Sequence, residues 1–284
     1  MGGVKRAIIH ALDRPGGRTV LGVIGTRMAR RSASEVRLFF RRSMWMHQSG
    51  AHVFVDSPTF DYYRRRIFSK WSDESGRYYR DAQDFWFYAD PPRLGDVVLD
   101  IGAGKGEHTV AFAKAVGPTG RVFAIEAHPV TFRCLELFCE INKLTNVTPL
   151  NYAIADCCGT VDIDMGADWL DNSIVAPGRH GSATVPSLTL DELLVQQKIQ
   201  QIGLLKMNIE GAEALAIKGM KRAFEATRAL CISCHDFRAN QGHGDSFRTK
   251  TQVEEAVTKA GFRIIPRDSD PRDYVADQVN AVRN

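Results

Sequence analysis

From Pro91 onward, short apolar runs alternate with longer stretches whose apolar residues recur at helical spacing. Residues 97–101, Val-Val-Leu-Asp-Ile, are apolar apart from one acid, as in a strand buried on both faces. A glycine-rich turn follows, and residues 107–116 read as a helix. Residues 121–126 and 147–152 read as strands, with Pro129 placed to open the helix between them. The stretch 159–187 is irregular apart from a short strand at 161–163. Thr189 and Glu192 then form a capping box that starts a short helix. Further strands fall at 202–208, 230–233, 262–265 and 278–282, with helices at 212–224 and 251–260. Strands joined by whole helices pair in parallel through crossovers, so the pattern predicts a doubly wound, mostly parallel α/β sheet of seven strands. Ligands of such sheets bind outside the carboxyl ends of the strands, where strand order reverses. That rule gathers the turns after Asp100, Glu126, Tyr152, Asn208 and Ser233 on one edge.

Residues 1–90 are different in character. After a Pro15-Gly16-Gly17 break, the chain is rich in arginine and in aromatics such as Phe39, Phe40, Trp45, Tyr63, Trp71, Tyr78, Phe85, Trp86 and Phe87. Helical spacing fits this section, which predicts a basic helical extension covering one side of a domain formed by residues 91–284. Net charge is only +4, yet residues 1–70 carry +10 and the remainder −6. A basic arm on a mildly acidic body suits a membrane surface, a polyanion or an acidic substrate; a solvated arginine-rich face is the plain alternative.

No run of eighteen apolar residues occurs and the N-terminus lacks the form of a secretory signal. Six scattered cysteines suggest a reduced, cytoplasmic chain, with peripheral membrane contact through the basic arm. Cys231-x-x-Cys234-His235 lacks a second ligand pair for zinc, and its flanks read as a buried strand.

Asp100-Ile101-Gly102-Ala103-Gly104-Lys105-Gly106 joins the first strand of the domain to its first helix. Glycine there lets the backbone turn tightly and approach a ligand. The spacing is Gly-x-Gly-x-Gly, unlike the dinucleotide fingerprint, and Gly-Lys-Ser/Thr is absent. Asp100 would repel a pyrophosphate but accept from an ammonium, and Glu126 at the end of the next strand could accept both ribose hydroxyls. Two acids without a phosphate ligand fit a cofactor with adenosine and a cationic methionine part.

Three stretches resemble the hallmarks of the FkbM family of S-adenosylmethionine-dependent O-methyltransferases. They are residues 98–106, residues 123–129 (Phe-Ala-Ile-Glu-Ala-His-Pro) and residues 204–213 (Leu-Leu-Lys-Met-Asn-Ile-Glu-Gly-Ala-Glu). The likeness covers residues 96–236; its first stretch is generic to class I methyltransferases, and Lys206-x-x-x-Glu210-Gly211-x-Glu213 is the more specific one. It implies a class I methyltransferase fold and S-adenosylmethionine as cofactor. The expected cofactor set is Asp100, Gly102, Ala103, Gly104, Gly106, Thr109, Glu126, Ala127, Ala153 and Asn208. It further implies methylation of a hydroxyl on a small molecule such as a sugar, a glycolipid or a polyketide-like metabolite. The chain departs from the family in having Asn208 for Asp, Gly104 for Asn and Ala127 for Pro.

The expected catalytic set is His235, Glu210, Lys206, Asp236 and Asn208. Lys206, inside an apolar strand, should pair with Glu210, Glu213 or Asp236, or point into the cleft. Methyl transfer from a sulfonium to an alcohol requires loss of the hydroxyl proton, and His235 is the expected general base, assisted by Asp236 or Glu210. A divalent cation held by Glu210, His235 and Asp236 is the alternative. An RNA methyltransferase using the basic arm is the rival function, disfavoured because Asn208-Ile209-Glu210 stands where amine-directed enzymes carry Asp/Asn-Pro-Pro-Tyr/Phe. A non-catalytic protein docking on a membrane or partner is a third reading. The acceptor could be anionic or lipid-linked, and a homodimer stays open.

Overall fold

Three strands, where a helical arm was expected, form the centre of the N-terminal extension. The computed structural model describes residues 3–32, 35–66, 74–165 and 182–283. β1 (Arg37–Arg41), β2 (Met44–Ser49) and β3 (His52–Ser57) make an antiparallel meander. Helices Gly3–Leu12 and Gly17–Ala29 precede it, and helices Asp61–Arg66 and Glu74–Phe85 follow. Helices thus flank a three-stranded centre that the helical reading did not include. The reason lies in β2, which is apolar on both faces. Trp45 packs with Leu21, Leu38, Phe60 and Tyr63, whereas Met44 and Met46 join Phe54, Trp86 and Val98 in the core of the main domain. Burial on both faces erases the polar alternation that marks a strand. The β1–β2 turn is Arg42-Ser43, both at positive φ (52° and 63°), a hairpin geometry usually signalled by Asn-Gly. Trp71 lies outside the described residues.

The main domain adds β4 (Val97–Ile101), β5 (Arg121–Ile125), β6 (Val147–Leu150), β7 (Ala153–Ile154), β8 (Gly159–Asp164), β9 (Ser182–Leu188), β10 (Ile202–Met207), β11 (Thr227–Ser233), β12 (Phe262–Ile264) and β13 (Gln278–Arg283). Seven of them form one sheet in the order β12-β13-β11-β10-β4-β5-β6. β13 runs antiparallel to both neighbours and the pairs from β11 to β6 are parallel, the doubly wound arrangement the sequence predicts. β7, β9 and β8 form a small separate sheet where a mostly irregular stretch was expected; the middle of that stretch lies outside the described residues.

Side-chain alternation divides the core in two. Leu99, Ile101, Leu205 and Met207 pack with Leu193 and Met220, while Val98, Val122, Ala124 and Leu204 pack with Phe112, Leu135 and Phe138. The predicted helix at 212–224 is broken into Glu213–Ala216, a 3-10 turn and Lys221–Ala226. At Gly219 an added Cβ would lie 2.8 Å from Thr189 Cβ and 2.9 Å from the Ala155 carbonyl oxygen, so the chain must bend around the start of the next-door helix. Thr189 caps that helix as expected, accepting from the Glu192 amide at 3.1 Å. From β4 the chain proceeds to β5 and β6 on one side, then returns to β10 and β11 on the other. The strand order thus reverses between β4 and β10, and the cleft at that point is where a ligand belongs.

Candidate active site

The turn after β4 is built on glycine. Gly102, Gly104 and Gly106 have φ of 70°, 60° and 94°, a region that costs a residue with a Cβ. At Gly102 an added Cβ would also fall 1.9 Å from the Asn208 carbonyl oxygen, so the tips of β4 and β10 meet backbone to backbone. Beneath the turn, fully buried Asp100 accepts from Thr109 Oγ1 at 2.6 Å and pairs with Lys206 Nζ at 2.8 Å. Lys206 also donates to the Gly102 carbonyl at 2.7 Å. Lys206 pairs with none of the three acids named for it but with Asp100, and it follows the other expected course by lining the cleft. Asp100 is taken up by partners inside the protein and does not line the cleft. The parallel register sets Lys206 beside Asp100, which no local sequence pattern reveals. The pair acts as a clamp under the turn.

A second clamp holds the turn from the N-terminal sheet. Lys105 is buried, with its ammonium 3.6 Å from Asp56 of β3. Asp56 in turn lies 2.8 Å from His47 Nδ1 and accepts from Tyr63, and His47 Nε2 lies 3.0 Å from Glu74. Burial opposes the charge on Asp56, but His47 and Lys105 together hold its carboxyl well below the usual range.

Glu126 follows β5. One carboxylate oxygen accepts from the Gly104 amide at 2.9 Å and the other from the His128 amide at 2.8 Å. Burial outweighs these bonds and raises its pKa to about 7. Asn151 fixes the backbone here by donating to the carbonyls of Glu126 (2.8 Å) and Ala127 (3.0 Å).

Across the cleft stand Glu210, Glu213 and His235. Glu210 has a positive φ of 56°, unusual for a residue with a side chain, and its Oε2 lies 3.4 Å from His235 Nε2 and 3.2 Å from Arg238 Nη1. Glu213 is fully buried; it accepts from the amides of Ile209 and Gly211, each at 3.2 Å, and lies 3.2 Å from His235 Nδ1. Burial works against a charged imidazole, but contact with Glu210 and then Glu213 more than reverses it, and the His235 pKa is pushed up to about 10. A ring that keeps its proton at neutral pH is poorly suited to receive another, so these contacts favour a charged, positioning imidazole over the expected general base. Asp236 is also elsewhere. It accepts from the amides of Thr249 (2.8 Å) and Lys250 (3.0 Å) at the start of helix Lys250–Lys259. The cation triad of Glu210, His235 and Asp236 therefore does not assemble, and no group of three His, Cys, Asp or Glu suited to a metal occurs among the described residues. Cys231 and Cys234 are buried free thiols, the former with its pKa raised to about 12 by burial.

These elements surround a cavity of about 300 Å³ at the carboxyl ends of β4, β5 and β10. Of the expected cofactor residues, Gly102, Ala103, Gly104, Glu126, Ala127, Ala153 and Asn208 line it, whereas Asp100, Gly106 and Thr109 lie behind its wall. Of the expected catalytic residues, Glu210, Lys206 and Asn208 line it, whereas His235 and Asp236 do not. Sequence reasoning missed Tyr78, Trp86, His108 and His128, which also face the cavity. His128 stands two residues past Glu126 and was within reach of local reading; Tyr78 and Trp86 arrive from the extension, where aromatics signal core. Burial, then the nearby Lys206, lower the His108 pKa to about 4, so its ring is neutral. The cavity suits an adenosyl cofactor. Its glycine turn has no Cβ to block approach, Glu126 offers paired acceptors, and the buried Asn208 Oδ1 has no hydrogen-bond partner among the described residues.

The sequence profile of the methyltransferase FkbM domain matches residues 100–264. The hexuronic acid methyltransferase AglP of Haloferax volcanii is 28% identical over 146 residues, which is 49% of this chain and 56% of that protein. The 2-O-methyltransferase NoeI of Sinorhizobium fredii is 26% identical over 164 residues, 51% of this chain and 66% of that protein. The chain thus spans less than two thirds of the length of either relative. Among solved structures, methyltransferase FkbM from Methylobacillus flagellatus aligns with a TM-score of 0.45 at 14% identity, covering 94% of this chain and 60% of that one.

Proposed function

Because the chain belongs to the FkbM methyltransferase family, we propose that it transfers a methyl group from S-adenosylmethionine to a hydroxyl of a small molecule, a sugar above all. The observation that carries this reading is the cavity at the β4–β10 switch, with a glycine turn and Glu126 on one flank and Glu210 on the other. The cofactor supplies a methyl group already activated on a sulfonium. Glu126 is suited to its ribose hydroxyls, the Gly102–Gly104 backbone to its amino-acid end, and the apolar side chains of Ile125, Ala153 and Ile154 to its adenine. Asn208 Oδ1, without a hydrogen-bond partner among the described residues, is suited to accept from a bound donor.

Formation of the methyl ether would release the acceptor's hydroxyl proton, so the site must offer that proton an acceptor. Glu210 lines the cavity and His235 lies behind it. We therefore assign proton acceptance to Glu210 and a positioning role to His235 and Arg238, whose positive charges hold the carboxylate in place. A sugar acceptor is supported by the names of the two relatives, one of which specifies a hexuronic acid and the other a 2-O position.

The test is incubation with methyl-labelled S-adenosylmethionine and a panel of uronic acids, neutral sugars, their lipid-linked forms and RNA. Label should enter a sugar as an alkali-stable methyl ether. Label found in RNA, or in an alkali-labile ester of the uronic carboxyl, would overturn the assignment.

A further inference from the structure

Helix Gly17–Ala29 has two contrasting faces. Leu21, Gly22, Gly25 and Ala29 are buried, and Thr26 ties the same side to β1 by accepting from the Leu38 amide at 2.9 Å. Opposite them Val20, Val23 and Ile24 are 47%, 50% and 43% exposed, and Arg27 is exposed one turn further on. Offsets of zero, three, four and seven residues put these four side chains within an arc of roughly 100°. Ile8, on helix Gly3–Leu12, is 54% exposed.

Beside this stripe lies a groove of about 600 Å³ lined by Arg18, Arg27, Arg30 and Arg37, with Phe39 and Phe40. Among the described residues that line it, none is acidic. Arg18 stacks over Phe40 at 3.9 Å and Arg30 donates to the Val36 carbonyl at 3.1 Å, so both guanidinium groups are held in place beside the stripe.

We propose that this face docks on an anionic lipid bilayer. Arginines alone would suit any polyanion. Three exposed aliphatic side chains beside them gain nothing from a nucleic acid or polysaccharide, which present charge and hydroxyls, but they gain from the acyl boundary beneath lipid headgroups. The charge distribution agrees, because residues 1–70 carry +10 and the rest −6, which turns the basic module toward a negative surface. Among the described residues no helix is long and apolar enough to cross a membrane. This inference stands independently of the reaction assigned above.

Flotation of the full chain with vesicles tests it. The chain should float with phosphatidylcholine vesicles containing about 30% phosphatidylglycerol and stay behind with pure phosphatidylcholine, and raising salt should weaken the binding. Replacing Val20, Val23 and Ile24 by serine, which adds no charge, should reduce affinity about tenfold or more. An Arg27→Ser/Arg37→Ser variant should lose most of the salt-sensitive part. Circular dichroism on each variant checks the fold, which exposed positions should not disturb. Failure of the wild type to bind anionic vesicles, or wild-type binding by the triple serine variant, would overturn the proposal. So would equal affinity for an RNA oligonucleotide that the triple serine substitution leaves unchanged.

Discussion

Asp100 and Glu210 are both acids near the tips of adjacent central strands, yet they are put to opposite uses. Asp100 is sealed under the glycine turn by Lys206 and Thr109. Glu210 faces the cavity, with His235 and Arg238 behind it. A buried pair that satisfies itself fixes geometry and has nothing left to offer a ligand. A carboxylate steadied from one side retains an open face for chemistry. On the proposed reading, the half of the site suited to the cofactor is preorganised from below, while the half assigned to the acceptor is preorganised from behind.

The largest expected effect comes from breaking the sealed pair. Asp100→Ala leaves the Lys206 ammonium buried without its partner, which should cost about 3–5 kcal/mol in urea unfolding and abolish cofactor binding. Adding Lys206→Met should restore most of the stability but not the binding, because it removes the donor that Lys206 supplies to the Gly102 carbonyl. Next comes Glu210→Gln, which should lower kcat by about 100-fold or more while changing S-adenosylmethionine affinity by less than about twofold. Equal losses in both constants would mean that Glu210 serves binding and that the two halves do not differ as described. Asp56→Asn, which loosens the Lys105 clamp, should weaken cofactor affinity by about tenfold and leave the acceptor KM unchanged.

The last effect is one of pH. The His235 pKa rises from 6.5 to about 10 on folding, so the ring binds its proton more tightly in the native state. The stabilisation this supplies is present in full below pH 6.5 and should fade as pH rises toward 10. Thermal unfolding across that range should show the decline in the wild type and a flatter profile in His235→Gln.

What could be read from the sequence was local. The glycine turn, Glu126 and the capping Thr189 are each specified by a few consecutive residues, and the sheet follows from the alternation of apolar runs with helices. What could not be read depended on strands meeting. The partner of Lys206 is set by the β4–β10 register. Asp236 looked like part of the site because it follows His235 directly, but the chain turns there and delivers it to a helix start. The β1–β3 meander was hidden by β2 being buried on both faces and by a turn of Arg42 and Ser43. Tyr78 and Trp86 reach the cavity from an extension whose route over the sheet no spacing discloses.

Calorimetric titration of the full chain asks whether the β4–β10 switch holds S-adenosylmethionine. One saturable micromolar site should appear, which NAD does not fill and Glu126→Ala removes. Affinity should weaken as pH falls below about 7, because burial raises the Glu126 pKa to that value and a protonated carboxyl cannot accept both ribose hydroxyls. No binding by the folded wild-type chain, preference for NAD, or unchanged binding in Glu126→Ala would contradict the cofactor assignment.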